Sequence, residues 1–200
     1  MTTRYEQLRA VLLAVVMVAS VMTVATPTAL AATTAGETTV SVSPADASVE
    51  SGETTTFDIV VDTASGGVGA YNVSLAVESD TAEITDYRFG GDPFNSRVDT
   101  AEDNSSITLT AFGANTSQTG AVTIATVTVE GDGSGSTPVD LTVNALGDED
   151  GNSYSVTGVN SGELHINSPP SATVTTTPSE PGVNETVTAD ASGSSDSDGQ

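Results

Sequence analysis

The chain has no cysteine, no tryptophan and no lysine, and it has one histidine, His165. Without cysteine there is no disulfide, no thiolate nucleophile and no thiolate metal centre, so the fold must be held by packing and backbone pairing. Without lysine, Schiff-base chemistry is excluded. Aromatic residues make up only 4% of the chain, which leaves few side chains for a sugar-stacking platform. A catalytic triad would need a serine and an orienting acid beside His165, and no motif supplies them. His165 lies in "GELHI", where Leu164 and Ile166 face one way and Glu163 and His165 the other, as on a surface strand. No motif selects a carboxylate pair for glycoside cleavage from the many acids. The expectation is a non-enzyme.

Positive charge is nearly absent. Arg4, Arg9, Arg88 and Arg97 stand against 27 acids, for a formal charge of −23. Phosphate binding needs clustered cations, so neither nucleic acid nor an anionic membrane is expected as a partner. Such a charge repels itself in dilute buffer, but at molar salt the Debye length shrinks to about 3 Å and screens it. The expectation from this composition is a halophile's protein. The acids are scattered singly between apolar alternations, which is not the pattern of a disordered acidic chain.

The one long apolar run is Ala10–Val24, preceded by Arg4 and Arg9 and followed by "TPTALAA". A basic start, a short apolar stretch and the small-x-small Ala29-Leu30-Ala31 predict a secretory signal over residues 1–31, cleaved after Ala31. About fifteen apolar residues are short for a membrane span, which needs about 20. No membrane insertion is expected of the mature chain, which is placed outside the cell, free or attached to its surface.

From Thr38 the apolar period is two. Val40 and Val42, Phe57, Ile59 and Val61, and Tyr71, Val73, Leu75 and Val77 alternate with polar residues. Ile107 and Leu109, Val127 and Val129, Val139, Leu141 and Val143, and Leu164 and Ile166 do the same. The runs are rich in β-branched residues and end in Gly, Asn, Asp or Pro clusters. Around nine short strands are expected, forming an all-β, antiparallel sandwich of jelly-roll type over residues 38–167, with 32–37 as an N-terminal linker. The prolines of "NSPPSA" make 168–172 a stiff linker, and residues 173–200 begin a second strand pattern around Val174, Val187 and Ala189.

"GDEDGN" places Asp148, Asp150 and Asn152 at alternate positions, as in a Ca²⁺ loop. An EF-hand loop needs Glu at its twelfth position, which here is Val159. Two readings stay open: an acidic hairpin turn with Gly151 at positive φ, or a weak Ca²⁺ site. The same pair applies to Asp196 and Asp198, and no other cofactor is expected. Asn72, Asn104, Asn115 and Asn184 head N-glycosylation sequons, with Asn72 directed away from the apolar face of its strand. Tyr87, Phe89, Phe94 and Phe112 gather around "DYRFGGDPF", flanked by Arg88 and Arg97, as edge packing or as a binding surface.

Two family resemblances follow. "TTVSVSP", "VESGETTTFDIVVDT", "GGVGAYNVSLAVES", "GAVTIATVTVEG" and the closing "GELHI" resemble, in order and character, the strands of the cohesin family. Cohesins usually carry a Tyr-Asp pair after the third strand, where this chain has Glu78-Ser79-Asp80. They usually have Phe in the late strand, where this chain has Val127 and Val129, so no binding residue is carried over. "PPSATVTTTPSEPGVNETVTADASGSSDSDGQ" resembles the opening of a PKD domain, an immunoglobulin-like extracellular module, with its later strands not in this sequence. The cohesin resemblance implies recognition of a calcium-loaded dockerin module through one sheet face, or of polysaccharide as in related carbohydrate-binding sandwiches. Two alternatives remain: an accessory region of an extracellular polysaccharide-degrading or proteolytic enzyme with its catalytic part beyond residue 200, or a glycosylated surface spacer.

Overall fold

A computed structural model describes residues 34–78, 80–116 and 119–196. The signal segment with Ala31, and Ser117 and Asp198, lie outside the described residues. Among the described residues no helix is long and apolar enough to cross a membrane.

Eleven strands, not nine, build the domain: β1 (Thr34–Ser43), β2 (Asp46–Glu50), β3 (Thr54–Ala64), β4 (Ala70–Ala76), β5 (Ala82–Phe89), β6 (Asn95–Thr100), β7 (Ser106–Phe112), β8 (Gly120–Gly131), β9 (Gly135–Gly147), β10 (Ser153–Asn160) and β11 (Gly162–Asn167). They form one continuous sheet in the order β5-β8-β3-β1-β10-β9-β4-β7-β6, with β11 also on β9 and β2 on β11. The sheet curls at the β10–β9 seam, where the register holds only at Ser153–Gly147. One half then packs on the other as a jelly roll.

The period-two pattern decides the core. Phe57, Ile59 and Val61 of β3 and Ile124, Val127 and Val129 of β8 face Tyr71, Val73 and Leu75 of β4 and Ile107 and Leu109 of β7, all buried. Each such side chain contributes about 1.5–3 kcal/mol on burial. The two halves are also tied by hydrogen bonding: the Tyr71 hydroxyl donates to the Ile124 carbonyl at 2.5 Å.

Pairing is mostly antiparallel, with two exceptions. β1 runs parallel to β10, and β2 runs parallel to β11. The consecutive strands β1 and β2 therefore travel beside the consecutive strands β10 and β11. Both pairs cross between sheet halves at the same level, at Pro44 and Ser161, and the Ser161 hydroxyl oxygen accepts the Leu141 N–H there at 3.1 Å. Strands far apart in sequence are thus joined without a disulfide.

Beyond Asn167, β12 (Thr175–Thr177) and β13 (Thr188–Asp190) pair antiparallel with each other, and Ser171 bridges Ser195. Val174, Val183 and Val187 are exposed, so this ladder has no apolar core of its own.

Candidate functional site

Cross-strand register sorts the solvent-facing side chains into rows. On the half built from β9, β4, β7 and β6, one row runs Ala145, Asn72, Thr110, Arg97. The next runs Thr142, Ser74, Thr108, Asp99, and the flanking row holds Ala70, Phe112 and Asn95. The middle of this surface carries no charge. Its side chains bond to one another: Asn72 Nδ2 donates to Thr110 Oγ1 at 3.0 Å, and the Ser74 and Thr108 hydroxyls lie 2.9 Å apart. Asn144 Nδ2 donates to Asn72 Oδ1 at 2.9 Å. At the β6 edge Arg97 pairs with Asp99 at 2.7 Å, and this contact holds the guanidinium above its ordinary pKa. Phe112, 57% exposed, and Phe94, 95% exposed, lie at one end.

The other half is different. There Asp58 accepts from Thr126 at 2.6 Å, and Asp62 accepts from Thr39 and, at 2.9 Å, from Ser41. Glu83 stands directly opposite Glu130. In a chain with 27 acids, a strip of small neutral side chains edged by one arginine and two exposed phenylalanines is the exception. Interface centres are depleted of charge and enriched in aromatics and Arg. A mutually bonded layer also lowers the entropy lost on docking.

The aromatic cluster read from the sequence splits in two. Phe89 packs edge-on against Tyr87, with ring centres 5.8 Å apart, and leans on Tyr71 at 6.5 Å. Phe94 and Phe112 instead lie on the neutral strip's side. Arg88, on β5, lines a surface depression together with Asp58, Gly90, Gly91 and Asp92.

The acidic loop is a closed turn. Asp148 Oδ1 accepts the Asn152 N–H at 2.7 Å and Oδ2 accepts Asn152 Nδ2 at 3.0 Å, while Gly151 takes φ +85°. The Asn152 amide, together with its backbone N–H, holds the Asp148 carboxyl below the usual aspartate range against the opposing effect of desolvation. The turn packs on the 65–69 loop, where Tyr154 accepts from Gly66 N–H at 3.0 Å and donates to the Gly67 carbonyl at 2.8 Å. Asp150 is exposed. Asp148 and Asn152 come together, with Asp150 between them in the turn, and both Asp148 oxygens already serve that turn. Asp196 is half-buried, and its Oδ1 has no hydrogen-bond partner among the described residues.

Of the sequon residues, Asn104, Asn115 and Asn184 are exposed, whereas the Asn72 amide is engaged on both sides within the neutral strip. A glycan on Asn72 would dismantle that network. Sequence reading marked Arg97 and Phe112 but missed Thr108, Thr110 and Asn144, which only register brings together.

No family model matches the chain, and no curated protein matches it. Solved structures do. A type I cohesin–dockerin complex from Clostridium thermocellum aligns with TM-score 0.55 at 17% identity, over 68% of this chain and 97% of that one. The seventh ScaB type I cohesin from Pseudobacteroides cellulosolvens gives 0.55 at 14%, over 67% and 94%. A non-cellulosomal cohesin from the hyperthermophilic archaeon Archaeoglobus fulgidus gives 0.50 at 21%, over 65% and 91%. The domain is cohesin-like in fold. At these identities the likeness is one of backbone. The cohesin-like jelly roll places the neutral strip on one outer face and the acid-rich surface on the other.

Proposed function

We propose that this chain is a secreted, non-catalytic recognition module whose neutral strip on β9, β4, β7 and β6 docks a dockerin-type protein module. The observation that carries the proposal is the charge-free, mutually hydrogen-bonded centre of that strip in an otherwise strongly acidic domain. Docking there avoids desolvating carboxylates, which costs several kcal/mol for each unpaired ion. The partner class is supported by likeness to domains seen in cohesin–dockerin complexes. Secretion rests on the signal-like residues 1–31, and residues 173–200, after the 168–172 linker, serve as the opening of a PKD-type module.

The test is retention of extracellular proteins from the producing organism on the immobilised chain at high salt, with and without chelator. A retained protein that carries a calcium-loop module and is released by EDTA supports the proposal. Retention of polysaccharide alone places the domain among carbohydrate-binding sandwiches. Retention of neither leaves the spacer function.

A further inference from the structure

On the ribbon formed by β2 and β11, the parallel register places Glu163 directly beside Asp46 and His165 beside Ser48. On the other side of β11, Glu163 faces Pro138 and His165 faces Ser136. One donor atom each from Asp46, Glu163 and His165 lies within 4.8 Å of the others. Like charges directly opposite on neighbouring strands destabilise a sheet, and here no arginine offsets them, since Arg88 and Arg97 are on β5 and β6. The next acid along the ribbon shows how such a charge is normally met: Glu50 accepts from Asn167 Nδ2 through both oxygens, at 2.9 and 3.0 Å. None of the Asp46, Glu163 or His165 side chains has a hydrogen-bond or ion-pair partner among the described residues.

The backbone holds the three residues in place. The Glu163 N–H donates to the Ala45 carbonyl at 2.8 Å, joining the two strands immediately beside Asp46. Gly162 is closely hemmed in, since a Cβ there would sit 3.0 Å from the Ala45 oxygen and from Val42 Cγ1. The backbone positions of the three residues are therefore set by strand pairing.

We infer that Asp46, Glu163 and His165 form a binding site for a divalent transition ion of the Zn²⁺ class. One imidazole with two carboxylates suits Zn²⁺ and its neighbours, whereas Ca²⁺ and Mg²⁺ take oxygen ligands. Bonds of about 2.0–2.2 Å require the side chains to draw inward from their present spacing. Three protein ligands leave a coordination position for water. The ion neutralises the Asp46–Glu163 repulsion and clips β2, which among the described strands pairs with β11 alone, to the rest of the sheet.

The chain's single histidine makes the test unambiguous. Zn²⁺ alone is titrated into the tag-free chain at high salt with Mg²⁺ and Ca²⁺ in excess, while the His165 ring resonances and the thermal midpoint are followed. The site predicts a shift of the ring signals that saturates at one ion per chain, and a raised midpoint. His165→Asn and Asp46→Asn should each weaken Zn²⁺ binding at least tenfold, whereas Glu83→Gln, which removes half of the other facing acid pair, should leave it unchanged. Circular dichroism checks that each variant folds, and Glu163→Gln replaces any that does not. Ring signals that stay still through equimolar Zn²⁺, or undiminished binding by His165→Asn, would overturn the inference.

Discussion

The hydroxyl of Tyr71 on β4 donates to the carbonyl of Ile124 on β8 across the core, and the Gly90 N–H donates to the same oxygen at 2.8 Å. Burial is the main reason the phenol is held far above its ordinary pKa, so it stays a protonated donor at every working pH. Tyr71→Phe removes one of two donors to that carbonyl, and its acceptor keeps the other. The expected cost is about 1 kcal/mol, the net worth of one buried hydrogen bond, with an unchanged denaturant slope. Chemical denaturation at high salt measures it. A loss of several kcal/mol would mean that the hydroxyl does more than this tie.

Asp148 and Asn152 close the β9–β10 turn, and the hydrogen bonds from Asn152 depress the Asp148 pKa. A depressed carboxyl stabilises the fold fully above its unfolded pKa of about 3.9, and that contribution is lost as pH falls through the lower folded value. Asp148→Ala should therefore destabilise the domain at neutral pH, and its deficit should shrink as pH falls below about 4. Paired denaturation curves for wild type and variant across that window are the check. A deficit that does not change with pH would assign the loss to packing against the 65–69 loop instead.

Salt dependence follows from charge placement. Among the described residues one ion pair exists, Arg97 with Asp99, while Glu83 faces Glu130 across β5 and β8. Screening must do what counter-ions built into the protein do elsewhere. Cooperative thermal unfolding is expected at molar potassium chloride, with loss of the strand signal in circular dichroism when salt drops to tens of millimolar. An unchanged spectrum at low salt would contradict the expectation of a halophile's protein.

The sequence made the inner strands legible and hid the outer ones, for a physical reason. β3, β4 and β7 are flanked on both sides and bury every second residue, so their alternation is clean. β6 is an edge strand, with Val98 alone half-buried and the other five residues exposed, and β5 buries only Ala82 and Ile84. Charged residues such as Arg97, Asp99, Asp86 and Arg88 on those edges guard against edge-to-edge pairing, but they also erase the apolar pattern. In β10 the register against β1 slips at Thr38/Thr39, next to Gly158, which breaks the period of two.

The candidate site was less legible still. Asn72 pairs with Ala145 and Val73 with Val143, so Asn144 is the extra residue of a bulge. Its amide turns onto Asn72 and Ser74 for that reason. Nothing in the local sequence marks that bulge. The neutral strip became visible only when three rows of unremarkable Ser, Thr and Asn were aligned by register.

Placing a carboxylate in the neutral strip tests the central claim most directly. Thr110→Glu puts a charge at the strip's centre, and Thr128→Glu puts the same charge on the opposite outer face, both at half-buried strand positions. Both variants are compared with wild type for retention of the captured partner at high salt, after circular dichroism has shown them folded. If the strip is the docking surface, Thr110→Glu lowers affinity at least tenfold and Thr128→Glu leaves it unchanged. Full retention by Thr110→Glu, or loss only in Thr128→Glu, would contradict the account.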